Sequence, residues 1–69
     1  MKYTFIRNNP VSENRKAVED GISEYAIRGC FSMCTQEVRD RLESFFTDRQ
    51  QESIKFEFGD ETVEVRRDG

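Results

Sequence analysis

Residues 54–65 read Ile-Lys-Phe-Glu-Phe-Gly-Asp-Glu-Thr-Val-Glu-Val, and this stretch constrains the fold more than any other. Ile54, Phe56 and Phe58 alternate with Lys55 and Glu57, the period of a strand with one buried face. Gly59-Asp60 then predicts a two-residue hairpin turn, because glycine supplies the positive φ such a turn needs. Folding the chain there fixes the register. Phe56 faces Val63, Ile54 faces Val65 and Lys55 faces Glu64. The apolar pairs fall on one side and an opposite-charge pair on the other. A lone hairpin is marginal in water, so other elements must cover its apolar face.

Those elements are sought upstream. Residues 2–7, Lys-Tyr-Thr-Phe-Ile-Arg, are rich in β-formers and predict a strand that joins the hairpin, with Tyr3 and Phe5 inward and Thr4 and Ile6 outward. Asn8-Asn9-Pro10 predicts a turn. Ser12, with Glu13 behind it, has the chemistry of a helix cap. Val18, Ile22, Tyr25 and Ala26 recur at i, i+4, i+7 and i+8 and predict a helix over 12–28, closed by Gly29. Residues 30–34, Cys-Phe-Ser-Met-Cys, carry no period and read as an apolar connection. Thr35 is the next cap candidate. Val38, Leu42, Phe45 and Phe46 repeat the same stripe over a second helix that runs to about residue 50, with Glu37–Arg41 and Arg39–Glu43 pairs on its outer face. Arg67-Asp68-Gly69 reads as a frayed end. The expected fold is a single small α+β domain over 1–69, in the order β-α-α-β-β. Its three-stranded antiparallel-type sheet ends in the C-terminal hairpin and carries two helices on one face.

Composition bounds the chemistry. The chain has 69 residues, a net charge of -3, one leucine against six phenylalanines, and no histidine. A domain of this size buries only about 60% of its unfolded surface, and its core supplies roughly 3–5 kcal/mol. Cys30 and Cys34 are the only thiols. A structural zinc site needs about four nitrogen or sulfur ligands, which one histidine-free chain with two cysteines cannot supply. A four-cysteine site shared by two copies is the remaining metal arrangement. The thiols read as buried and reduced, which fits a cytoplasmic protein. No cofactor and no metal are expected. No apolar run approaches the ~18–20 residues of a membrane span, and no targeting segment is recognised.

Catalysis finds little support. Without imidazole there is no Ser-His-Asp or Cys-His arrangement. The carboxylates are interleaved with Lys and Arg along helix and hairpin faces, and the glycines stand too far apart for a phosphate loop. No catalytic residue is assigned and no enzyme is expected.

Two helices followed by a hairpin resemble, loosely, the helix-turn-helix and wing of winged-helix proteins. That resemblance implies a nucleic-acid-binding transcriptional regulator whose second helix enters the major groove. Arg15 and Lys16, with Arg66 and Arg67, would be its basic contacts. The second helix argues against it, because Glu37, Asp40, Glu43 and Asp48 would meet phosphates.

The favoured expectation is a non-catalytic regulator that binds a larger protein as inhibitor or adaptor. Short, acidic chains of this kind are common among the regulators that phages and plasmids encode. Ile27, Phe31 and Met33, with Ile6 on the first strand, are the candidate docking residues for such a partner or for a second copy of the chain, since a small domain seldom spends large apolar groups on solvent; the alternative is that the chain turns after Ala26 and that Ile27, Phe31 and Met33 close the end of the core. The acid surplus favours a partner with a basic patch.

Overall fold

A computed structural model describes residues 2–10 and 16–68. The elements run β1 (Lys2–Asn8), β2 (Lys16–Ser23), α1 (Glu24–Cys30), α2 (Gln36–Thr47), β3 (Ser53–Phe58) and β4 (Glu61–Arg67). The chain is a small α+β domain with an antiparallel four-stranded sheet in the order β2-β1-β4-β3.

The hairpin has the register its sequence predicts. Phe56 opposes Val63, Ile54 opposes Val65 and Lys55 opposes Glu64, and Gly59 takes a φ of 65° in the turn. β1 lies in the middle of the sheet, against β4 with Phe5 opposite Val65. Tyr3 is buried and Phe5 packs half-buried against the core, so the inward parity of β1 is as expected.

The segment 16–23 departs from expectation. It is a fourth strand, not the body of a helix. β2 pairs with β1 through Ile6–Val18, Phe5–Glu19 and Tyr3–Ile22, and the register shifts between Phe5 and Tyr3. That shift is a bulge: Asp20 and Gly21 share the space opposite Thr4, and Gly21 sits at a φ of 67°, where a side chain is disfavoured. The extra residue lets Val18 and Ile22 fall on opposite faces although they are four apart. The Ser12–Glu13 cap lies outside the described residues.

The first helix therefore starts late. Ser23 caps it, its hydroxyl accepting the Ala26 N–H at 3.2 Å, with Glu24 in the first turn and Arg28 in the last, as the helix dipole favours. Thr35 caps α2 as predicted, accepting from the Val38 N–H at 3.4 Å. Both helices cover one face of the sheet. Ile27 and Phe31 meet Leu42, Phe45 and Phe46 there, above Tyr3, Ile54, Phe56, Val63 and Val65. The core is aromatic: Phe31 and Phe56 lie 5.1 Å apart, and Tyr3 meets Phe46 edge-on at 5.3 Å.

Three further expectations change. Arg67 is not frayed. Its guanidinium lies 4.3 Å from the Phe45 ring and donates to the carbonyls of Phe45, Gln51 (2.8 Å) and Asp48 (2.8 Å), tying β4 to the C-terminal end of α2, where carbonyls lack helical partners. Asp68 is held too, its carboxylate accepting from the Thr4 hydroxyl. On α2, Glu43 pairs with Arg28 of α1 rather than with Arg39, and Arg41 lies over the Phe56 ring at 4.9 Å rather than against Glu37. Arg28 holds the Glu43 carboxyl below the usual carboxylate range, chiefly through the hydrogen bond.

Candidate partner-binding surface

The two helices do not cover the whole inner face. At ~1.5 Å per residue, the seven residues of α1 span only about 10 Å. β1 has seven residues as well, which at ~3.4 Å each run about twice as far. The inner face is left open toward the Gly59-Asp60 turn.

A groove of about 500 Å³ occupies this gap. Phe5, Ile22, Phe31, Phe58 and Val63 supply its apolar surface, with Ala17 on the β2 side. The 30–34 connection overhangs it and places Cys30 and Cys34 in the lining. Phe31 fixes that overhang, since it packs against Phe5 at 6.3 Å and Phe56 at 5.1 Å. The volume is in the range of ligand pockets, but the groove is open along one side. Its charged margin is made by Glu19 and by the Arg7–Glu61 ion pair. Glu61 raises the Arg7 pKa above its ordinary value, first by accepting its Nε–H and then by charge.

The four candidate docking residues do not form one patch. Ile27 has no exposed surface and Phe31 has 3%, so Ile27 is core and Phe31 is core as well as groove wall. The reason is the helix phase. With α1 starting at Glu24, Ile27 points to the sheet and Tyr25 points away, 87% exposed. Met33 is 96% exposed at the tip of the connection. Ile6 is half-buried on the opposite, uncovered face of the sheet, beside Val18. The expectation of two buried thiols holds only in part: both are free, but Cys30 is exposed and Cys34 half-buried.

The basic residues of the winged-helix resemblance are scattered as well. Arg15 lies outside the described residues. Lys16 begins the edge strand, exposed. Arg66 stands 3.9 Å from Glu64, and Arg67 is engaged with α2. A second hollow, about 550 Å³, gathers Arg49, Arg66 and Arg67 but also Glu52 and Asp68, so it presents mixed charge.

Of the lining residues, the sequence placed only Phe31 at a docking surface; it assigned Phe5, Ile22, Phe58 and Val63 to the core and the two cysteines to buried thiols, and it gave Arg7, Ala17, Glu19 and Glu61 no part. Ala17 and Glu19 were hidden by the helical reading of 12–28. Asp20-Gly21 was the available signal, because a glycine inside a regular pattern often marks a bulge.

Among the described residues no helix is long and apolar enough to cross a membrane. No protein-family model matches the chain, and no curated protein and no solved structure is similar enough to match it.

Proposed function

We propose that this chain is a non-catalytic regulator that docks on a larger protein as inhibitor or adaptor, of the kind phages and plasmids encode. The observation that carries the reading is the apolar groove beneath the 30–34 connection. It replaces the patch of Ile27, Phe31 and Met33 as the docking surface. Interfaces place desolvated apolar contacts at the centre and charges at the rim, and here Phe5, Phe31 and Phe58 lie inside a margin of Arg7, Glu19 and Glu61. The groove has room for one or two large apolar side chains of a partner. Absence of catalysis rests on the sequence, which offers no imidazole base. A cytoplasmic partner with a basic patch suits the surplus of acids.

The test is capture of partners from the native host's lysate by the unaltered chain, by Phe58→Arg and by Tyr25→Arg, after each variant is shown to melt cooperatively. Phe58→Arg puts a charge into the groove; Tyr25→Arg alters an exposed site on α1. A partner lost at least tenfold with Phe58→Arg and kept with Tyr25→Arg supports the reading, by the logic of interface hot spots. Equal capture by all three contradicts it. The nucleic-acid alternative predicts a gel shift of duplex DNA that weakens steeply with salt; the protein-docking reading predicts none.

A further inference from the structure

The two edges of the sheet are treated differently. At the β3 edge, Arg41 reaches across from α2, donating to the Lys55 carbonyl at 3.4 Å and covering the Phe56 ring. At the β2 edge, every residue from Lys16 to Gly21 is exposed. Among the described residues, the backbone of Lys16–Asp20 bonds only within the sheet, to β1. A bare edge is a template for another strand.

The residues on this edge are self-complementary about one point. A two-fold axis perpendicular to the sheet sets β2 antiparallel to β2 of a second copy, with opposed residues on the same face. With the axis through Val18, each Val18 opposes the other, and Lys16 opposes Asp20 in both directions. All three lie on the uncovered face: Val18 is paired with Ile6 and Lys16 with Asn8, and the Asp20 carboxylate lies 3.2 Å from the Thr4 hydroxyl. The join would then carry Ile6 and Val18 of both copies as one apolar row, flanked by two Lys–Asp pairs. Moving the axis one residue either way sets Val18 against Lys16 or against Asp20 and loses the charge pairs. The bulge at Asp20-Gly21 ends regular pairing, so the interface is short.

We propose that the β2 edge is a homodimer interface, in which two copies join β2 to β2 about Val18 and form one continuous eight-stranded sheet. The join gives Val18, which is 51% exposed, an apolar neighbour across the axis. It is independent of the docking reading, which rests on the groove. Both copies keep their helices on the same side of the joined sheet, so both grooves open on that side.

Sedimentation of the full chain over a concentration series, from about 10 µM to about 1 mM, bounds a weak dimer of this kind. The unaltered chain is expected to dimerise with rising concentration. Lys16→Glu sets Glu against Asp twice, and Asp20→Lys sets Lys against Lys twice, so each alone should weaken the dimer at least tenfold. An equimolar mixture of the two variants satisfies both charge pairs and should recover a heterodimer. Such recovery also shows that both variants are folded. Should either variant fail to fold, Val18→Glu, which sets two carboxylates at the axis, must give the same tenfold loss. A chain that stays monomeric throughout overturns the proposal. So do charge or Val18 variants that dimerise as well as the unaltered chain, and so does a mixture of folded single variants that stays monomeric.

Discussion

The β3–β4–α2 half and the β2–α1 half of this domain contribute very unequally to its core. The first half supplies Leu42, Phe45, Phe46, Ile54, Phe56, Val63 and Val65, all buried. Arg67 fastens β4 to the end of α2 through the carbonyls of Phe45 and Asp48, and to the segment after it through that of Gln51. The second half buries one residue, Ile27, while its strand is exposed along almost its whole length. Phe31, which follows α1, is its main link to the hairpin through Phe56. The difference separates two tasks. One half holds the sheet together, and the other is left with an edge and a groove that have no internal partner among the described residues. A domain this small has little core to share between them.

Substitutions can break or sharpen that contrast. The largest effect is expected from Phe56→Ala. Phe56 is 1% exposed, and large-to-small changes of this kind cost about 3–5 kcal/mol, so a thermal or urea melt should show most of the stability gone. Arg67→Ala comes next. It removes charge-assisted bonds to the end of α2 and the cover over Phe45, at about 2 kcal/mol. In contrast, Tyr25→Ser on the exposed side of α1 should stay within about 0.5 kcal/mol. If Tyr25→Ser proved as costly as Arg67→Ala, the contrast between the halves would fail.

The smallest effect joins the halves. Glu43 and Arg28 bridge α2 and α1 across solvent. The Glu43 carboxyl is depressed by that contact, so in the folded state it stays charged at a pH where the unfolded chain has begun to take up the proton. The stability it adds is present above the unfolded pKa and is lost as the pH falls through the lower, folded one. Both side chains are exposed, so the effect is small. Glu43→Gln should therefore cost a little stability at neutral pH and nothing once the pH is below the folded pKa, so that the acid limb is slightly flatter, as melts from neutral into the acid range would show.

The same contrast governs what could be read in the sequence. The hairpin was legible because its alternation, turn and charge pair agree on one register, and α2 was legible from its cap and stripe. The segment 12–28 was not. A bulge at Asp20-Gly21 inserts one residue into β2, which destroys the period of two and imitates the i, i+4 spacing of a helix at Val18 and Ile22. The helical reading then put Ile27 on the wrong side, hid Ala17 and Glu19 from the groove, and cost the sheet a strand. Arg67 was illegible for another reason: its partners are backbone carbonyls distant in sequence, and no side-chain pattern announces them.

Native-state hydrogen exchange, at a concentration low enough to keep the chain monomeric, tests the unequal halves most directly. Amides that open only by global unfolding report the whole stability, and those in weakly packed elements open sooner. Exchange should be slowest in β4, in the β3 amides bonded to it and in the middle of α2. Exchange should be clearly faster throughout β2 and α1. Amides of β2 and α1 as strongly protected as those of β4 would contradict that order.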